Sequence, residues 1–192
     1  MTVAVRTAAL KSEKNIFPFI LYVGRRGHYK GFNTFLNAYS RWKRNKEVKL
    51  IVVGPALTKE ENNDIRNKHL ENQVVPFIEI QDDLLCDLYN QAMAFVYPSL
   101  YEGFGIPLLE AMSCSCPIIA SDIPSTNEVA NDVPFYFEPG NEDNLINSLD
   151  HIGATEATQV KIKDGHDLVK KYSWDKTSQQ VNSVLQMINR IG

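Results

Sequence analysis

The chain has 192 residues, of which 44% are hydrophobic and 22% charged, and its formal net charge is −3. These values are typical of a globular protein of one domain that buries a sizeable core without disulfides or metals. The weak net charge gives no whole-chain attraction to nucleic acid or to an anionic membrane. No apolar run approaches the roughly 20 residues of a membrane span, so we expect a cytoplasmic protein whose only membrane contact would be peripheral, at the inner face of the plasma membrane.

The chain has three cysteines, Cys86, Cys114 and Cys116. An odd set without the paired spacing of a zinc site favours reduced thiols over a disulfide framework or a metal centre. Small thiols are common in protein cores, so we expect these cysteines to be structural.

Short apolar segments of strand length alternate with helical patterns. The segments cover residues 18–23, 49–53, 74–80, 94–97, 116–120 and 135–137. Continuous apolar runs of this length are typical of strands buried on both faces of a parallel sheet. The alternation predicts an α/β fold with a doubly wound, Rossmann-like parallel sheet over residues 18–152, preceded by a lead-in or linker over residues 1–17.

Helices are predicted between these strands from residue-type patterns. The first helix begins at about Asn33, the second covers residues 59–72, and the third follows an N-cap at Asp82 or Asp83. The fourth begins at Ile106, the fifth follows Ser125, which has capping-box spacing to Glu128, and the sixth covers residues 144–152.

The last part of the chain, residues 153–192, is predicted to be helical, with a break around residues 172–175. Its final helix carries an apolar stripe formed by Val181, Val184, Leu185 and Ile188. Such a stripe most often packs on the domain's own core, but it fits a partner or a second domain equally well.

Two glutamates, Glu102 and Glu110, flank a turn that contains Gly103 and Gly105 and leads into a helix with Pro107 near its start. Glycines let the backbone approach a ligand closely, and the N–H groups of a helix start bind anions. Carboxylates accept hydrogen bonds from sugar hydroxyls. The stretch therefore suggests a sugar phosphate or nucleotide sugar, although a plain helix start with a tight turn accounts for the same residues.

Arg25 and Lys30 lie in the turn between the first predicted strand and its helix. Ligands of open parallel sheets bind beyond the carboxyl ends of the strands, where such cations would meet a phosphate. A solvated basic loop is the alternative.

Several segments together resemble a known family. They are Gly24-Arg25, Lys30-Gly31, Pro98-Ser99, Glu102-Gly-Phe-Gly-Ile-Pro-Leu-Leu-Glu110-Ala-Met and Pro117-Ile-Ile-Ala-Ser121. In this order and spacing they resemble the C-terminal, donor-binding domain of retaining glycosyltransferases of the GT-B fold, and most of all the family "glycosyl transferases group 1". The resemblance runs from about Phe19 to Ile152, and residues 172–177 resemble the family's terminal segment.

The resemblance implies a role for each matching residue. Glu102 contacts the hydroxyls of the donor sugar, Glu110 binds the ribose, and Arg25 with Lys30 binds the diphosphate and balances its charge as the nucleotide leaves. The backbone amides of Gly103, Phe104, Gly105 and Ile106 hold sugar and phosphate. These roles agree with the chemistry of amides, carboxylates and cations. No metal and no cofactor are implied, because the two cations and the helix dipole take the role of a divalent ion.

Two residues depart from the family pattern. Ser115 stands where relatives usually have glycine, at a left-handed helix cap that serine adopts less comfortably. Glu79 stands where relatives often have glycine, in the loop that lines the base pocket together with Phe77 and Ile78. We hypothesise that Glu79 helps to choose the base by accepting from guanine N–H groups.

The resemblance also implies that the chain is half of an enzyme. Members of the family carry the acceptor site on an N-terminal domain, toward which the helices of residues 153–192 pack. We therefore expect weak binding of a UDP-, GDP- or ADP-linked sugar and no transfer by this chain alone, with a glycan or lipid-linked acceptor held by the N-terminal domain and no nucleic-acid partner. The full enzyme would be a hexosyltransferase of glycan or polysaccharide synthesis.

Two other functions stay open. One is a non-catalytic nucleotide-sugar-binding or interaction module. The presence of Arg25, Lys30, Glu102 and Glu110 together argues against it, because such a module does not need all four residues. The other is an enzyme similar to nucleotide-sugar epimerases, which lack the Glu-Gly-Phe-Gly pattern.

Overall fold

The structure is a computed structural model that describes residues 17–153 and 155–189. The predicted lead-in, residues 1–17, lies outside the described residues except for Phe17. One parallel sheet of six strands forms the centre of the described chain. The strands are β1 (Phe19–Val23), β2 (Lys49–Val53), β3 (Val74–Phe77), β4 (Ala94–Tyr97), β5 (Ile118–Ser121) and β6 (Phe135–Phe137).

Eight α-helices connect and follow these strands in the described part of the chain. They are α1 (Phe32–Arg41), α2 (Lys59–Asn67), α3 (Asp82–Gln91), α4 (Ile106–Ser113), α5 (Pro124–Ala130), α6 (Glu142–His151), α7 (Glu156–Val169) and α8 (Trp174–Asn189). A short 3₁₀ turn, His28–Lys30, precedes α1. The predicted α/β, Rossmann-like class is confirmed.

The strand order is β3-β2-β1-β4-β5-β6. The chain thus builds the sheet outward from β1 in one direction and then returns to the other side of β1 with β4. The carboxyl ends of β1 and β4 form the point at which the direction of winding changes, and ligands of doubly wound sheets bind at such a point. Arg25 and Lys30 follow β1, and Glu102 follows β4.

Both faces of the sheet are covered, which explains the continuous apolar strands. On one face, Phe35, Leu36 and Trp42 of the α1 region pack with Leu50 of β2. On the other face, α4 contributes Leu108, Ala111 and Met112 to a second cluster. The indole Nε1–H of Trp42 donates to Asp150 Oδ1 at 2.7 Å and so joins α1 to α6.

Two predicted helix caps are wrong. The helix α3 is preceded by Gln81, so Asp82 and Asp83 lie in its first turn instead of capping it; carboxylates are also favourable there because of the helix dipole. The helix α5 begins at Pro124, so Ser125 is inside the helix. The hydroxyl of Thr126 instead donates to Ser121 O at 2.6 Å, inside the protein.

Several predicted boundaries also differ. The smaller differences are at β1, which begins at Phe19 instead of residue 18, and at α6, which covers Glu142–His151 instead of residues 144–152. The strand β3 ends at Phe77 and not at residue 80, because Glu79 has a positive φ of 51° that no extended strand contains. The strand β5 begins at Ile118. The helix α2 ends at Asn67; His69 follows with a φ of 54°, which ends the helical conformation.

The last helix, α8, makes little contact with the rest of the described chain. The side chains of its predicted apolar stripe are exposed, with Val184 at 55% and Ile188 at 61% of their full accessible surface. Trp174, at the start of the helix, is 78% exposed. The predicted break between the two last helices is present at residues 170–173. The stripe therefore does not pack on the domain's own core.

Candidate functional site

A cavity of about 300 Å³ opens at the carboxyl ends of β1 and β4. Its position agrees with the change of winding direction in the sheet. The residues that line it come from the ends of both strands, from the turn before α1 and from the start of α4: Tyr22, Val23, Gly24, Lys30, Tyr97, Ser99, Glu102, Phe104, Gly105, Ile106 and Pro107.

Close backbone contact brings the two loops of the cavity together. Gly31, at φ 67°, lies against Pro98 so closely that an added Cβ would collide with the carbonyl oxygen of Pro98. The N–H of Leu100 donates to Tyr29 O at 2.7 Å. The loop after β1 is thus fixed against the loop after β4, and only glycine fits between them.

Lys30 and Glu102, far apart in the sequence, form an ion pair in the cavity. The Lys30 ammonium lies 2.7 Å from Oε1 and 2.8 Å from Oε2 of Glu102. The hydroxyl of Ser99 donates to Oε1 of the same carboxylate at 2.6 Å. The side chains of Lys30 and Glu102 are only 22% and 9% exposed. A ligand that binds here exchanges these contacts for its own, because an anion would compete for Lys30 and hydroxyls would compete for Glu102.

Two tyrosines of the cavity, Tyr22 and Tyr97, are functional candidates that the sequence analysis did not identify. Burial raises the pKa of Tyr97 well above its usual value, and the nearby Glu102 carboxylate raises it further. Burial also raises the pKa of Tyr22, against the opposing effect of Arg26. Both phenols are therefore neutral at physiological pH. The available signal in the sequence was the place of both tyrosines at strand ends, two residues before Gly24 and directly before Pro98.

The start of α4 offers backbone donors to the cavity. Gly105 precedes the helix with φ 114°, a conformation that favours glycine, and no side chain caps the helix. The N–H groups of Gly103, Phe104, Gly105 and Ile106 donate to no acceptor among the described residues. Three of these four residues line the cavity, the exception being Gly103. This geometry suits an anion, because free amides and the positive end of the helix dipole coincide.

Glu110 lies within α4 but outside the cavity lining. Its Oε2 accepts from the Tyr89 hydroxyl of α3 at 3.0 Å. Burial, followed by the Glu110 carboxylate, raises the pKa of Tyr89 well above its usual value. Glu110 is half-buried and lies one turn into the helix.

The two arginines of the β1–α1 turn have different environments. Arg26 is 4% exposed and donates to Glu61 Oε1 at 2.8 Å, to Pro55 O at 2.7 Å and to Ala56 O at 2.9 Å. It therefore joins this turn to the loop after β2. Arg25 is exposed and forms no ion pair with the described residues, so its guanidinium is available for a ligand, although it does not line the cavity.

Phe77, Ile78 and Glu79 lie at and after the end of β3, and none of them lines the cavity. Phe77 is buried at 3% exposure, Ile78 is half-buried and Glu79 is exposed. Glu79 has a positive φ of 51°, a backbone conformation that favours glycine. The loop stands at the edge of the sheet, two strands away from β1.

Groups of three or more His, Cys, Asp or Glu placed to hold a metal ion do not occur among the described residues. The expected metal independence stays a prediction. In the same part of the chain, none of the helices is long and apolar enough to cross a membrane.

Comparison with known sequences gives a family match and several relatives. The family model "Glycosyl transferases group 1" matches residues 8–165. The chain is 29% identical over 175 residues to the O-antigen chain mannosyltransferase RfbU of Salmonella typhimurium, a match of 91% of this chain and 48% of that protein. It is 36% identical over 106 residues to O-antigen chain mannosyltransferase B of Escherichia coli, a match of 54% of this chain and 28% of that protein.

Solved structures share the fold. The sucrose-phosphate synthase of Thermosynechococcus elongatus superposes with a TM-score of 0.82 at 22% identity, covering 98% of this chain and 49% of that one. The Anabaena protein HepE, in complex with UDP and glucose, gives a TM-score of 0.79 at 22% identity, covering 96% of this chain and 52% of that one. The chain thus spans about half the length of these structures.

Proposed function

The chain belongs to the glycosyl transferases group 1 family, and we propose that it is the donor-binding half of a retaining hexosyltransferase that uses a nucleotide-diphosphate sugar. The fold is one half of a GT-B fold, with additional helices at its C-terminal end. The observation that carries the proposal is the cavity at the β1–β4 switch point, where Lys30, Glu102 and the free amides at the start of α4 meet.

The donor would bind by replacing the Lys30–Glu102 ion pair. The diphosphate takes Lys30 and the amides of Phe104, Gly105 and Ile106, which together bind anionic oxygens. Glu102, released from Lys30, accepts hydrogen bonds from the sugar hydroxyls. Both partners of the pair thus keep a counterpart after the exchange, so neither is left buried and unpaired.

In the proposed one-step transfer with retention, the acceptor hydroxyl attacks on the face from which the diphosphate leaves. The negative charge that develops on the departing phosphate is stabilised by Lys30, by the exposed Arg25 and by the helix start. Arg25 turns toward the phosphate on binding, since no partner among the described residues holds it. Glu110 exchanges the hydroxyl of Tyr89 for the ribose hydroxyls of the nucleotide.

The relatives supply the support for the proposed donor sugar and for the proposed biosynthetic process. Mannosyltransferases of O-antigen chains support mannose as the first sugar to test and cell-surface polysaccharide as the product. HepE, which shares this fold, is in complex with UDP and glucose, and this supports a nucleotide diphosphate as the ligand to test. Among the bases, guanine is the one that Glu79 would favour, by accepting from its N–H groups.

The acceptor would be bound by an N-terminal domain outside this chain. The exposed apolar side chains of α8, among them Val184 and Ile188, supply a surface for packing against that domain. A T-shaped contact between Phe104 of the cavity and Tyr172, with ring centroids 6.0 Å apart, joins the segment before α8 to the donor site.

Isothermal titration of the chain with UDP, GDP, ADP and the corresponding sugars tests the proposal. We expect binding of at least one nucleotide diphosphate, a loss of affinity of about tenfold or more in Lys30→Ala because a charged hydrogen bond is removed, and no change in Lys170→Ala, an exposed surface lysine. Absence of binding by all three nucleotides, or equal affinity in Lys30→Ala, would refute a donor site here.

The base is tested with Glu79→Gln, which keeps the side-chain length and removes the charge. If Glu79 selects guanine, this variant should prefer GDP over UDP less strongly than the original chain does. An unchanged preference would contradict a role of Glu79 in choosing the base. Measurable glycosyl transfer by the chain alone would contradict the expected need for a second domain.

A further inference from the structure

Two cysteines from different helices meet on the surface. Cys86 belongs to α3, and Cys114 is the residue that ends α4. Their Sγ atoms are 3.2 Å apart although the residues are 28 positions apart in the chain. Cys86 is exposed and Cys114 is half-buried, so a small molecule in solution reaches the pair through Cys86.

The surroundings give the two thiols different roles. The side-chain amide of Asn90 donates to Cys86 Sγ at 3.3 Å. Burial, and after it the contact with Cys86, raises the pKa of the Cys114 thiol to about 12. Cys114 is therefore the less reactive thiol of the pair, and the exposed Cys86, which accepts from Asn90, is the sulfur at which the exchange begins.

We propose that Cys86 and Cys114 form a modification site, at which a low-molecular-weight disulfide such as oxidised glutathione converts the two thiols into one reversible intramolecular disulfide. The Cys86 thiolate attacks one sulfur of oxidised glutathione and expels one glutathione thiolate. Cys114 then loses its proton to solvent, attacks the Cys86 sulfur of the mixed disulfide and expels the second glutathione thiolate. Two electrons pass from the cysteine pair to glutathione, so the step balances.

The native positions of the helices favour this bond. A disulfide has an S–S distance of about 2.05 Å, so the two sulfurs close a gap of roughly 1.2 Å, which side-chain rotation supplies. The helices are already joined nearby, because Tyr89, three residues after Cys86, donates to Glu110, four residues before Cys114. The bond would thus add a covalent link to an existing contact between α3 and α4.

The third cysteine provides an internal control. Cys116 is buried at 4% exposure, and its Sγ donates to Pro117 O at 3.5 Å. A sulfur this buried is inaccessible to oxidised glutathione, so Cys116 should take no part in the exchange.

The test treats the reduced full chain with oxidised glutathione and then measures intact mass and alkylation by iodoacetamide. With alkylation carried out after unfolding in urea, we expect a loss of two hydrogens, alkylation of one cysteine instead of three, and complete reversal by dithiothreitol. Cys86→Ser and Cys114→Ser should each abolish the loss of two hydrogens, and Cys116→Ala should keep it.

Thermal unfolding gives a second readout. A disulfide between Cys86 and Cys114 closes a loop and so lowers the conformational entropy of the unfolded chain. We therefore expect the melting temperature of the oxidised chain to be higher than that of the reduced chain by on the order of 5–10 °C. A glutathione adduct that persists on Cys86 while Cys114 is intact, a disulfide between two chains, or an unchanged melting temperature of the oxidised chain would each overturn the proposal.

Discussion

Replacement of Ser115 by glycine should stabilise the chain. Ser115 follows α4 with a φ of 54°. Its N–H donates to Met112 O at 3.2 Å, and the N–H of Cys116 donates to Ala111 O at 2.9 Å, the bonding pattern of a Schellman cap. The left-handed conformation costs an L-residue roughly 1–2 kcal/mol, and the greater freedom of glycine in the unfolded chain offsets about 0.5–1 kcal/mol.

We therefore expect Ser115→Gly to raise the free energy of unfolding by about 0.5–1 kcal/mol, or the melting temperature by about 1–4 °C. The matched control is Ser113→Gly, two residues earlier and still within α4. There the backbone is helical, and glycine should lower the free energy of unfolding by about 0.5 kcal/mol. Urea unfolding followed by circular dichroism measures both. Equal effects of the same sign at the two positions would refute the reasoning from φ.

Three further predictions concern the surroundings of the candidate site. Arg26→Ala should destabilise the chain by about 2–4 kcal/mol, because it removes three hydrogen bonds of a buried guanidinium and leaves the Glu61 carboxylate without its ion-pair partner. Arg25→Ala should change stability by less than about 0.5 kcal/mol, because Arg25 is exposed. Equal effects of the two variants in urea unfolding would contradict their different burial. Gly31→Ala should destabilise by about 2–4 kcal/mol, since the new Cβ meets Pro98 O at a positive φ, and an unchanged melting temperature would contradict that contact. Stability should fall as pH rises above about 10, because the tyrosines ionise first in the unfolded chain; urea titrations at pH 9 and 11 check this, and equal midpoints would argue against it. The tyrosines with raised pKa that carry this effect are Tyr22, Tyr39, Tyr89, Tyr97 and Tyr136.

The strands were predictable because burial on both faces leaves a continuous apolar run that few other elements share. The segments 49–53, 94–97 and 135–137 coincide with β2, β4 and β6. The helix caps were less predictable, since Asp82 and Ser125 suit a first turn as well as a cap, and the choice between these positions depends on the neighbouring Gln81 and Pro124.

Several parts of the candidate site were also readable from residue order. Lys30, Glu102, Phe104, Gly105 and Ile106 do line one cavity. They come together because the segments that follow parallel strands collect at the same edge of the sheet. Tyr22 and Tyr97 were missed, since a tyrosine in an apolar strand is equally compatible with a core position.

The alternation of strands and helices, the family and the residue types offered to a ligand could be predicted from the amino-acid order, because these depend on local pattern and spacing. Which of these residues contact one another depends on the packing of the folded chain. The Lys30–Glu102 ion pair, the use of Arg26 in place of Arg25 as the structural arginine, the contact of Glu110 with Tyr89 and the meeting of Cys86 with Cys114 all join residues from separate loops or helices. Such contacts depend on strand order and helix packing, which bring together positions that no periodicity along the chain relates.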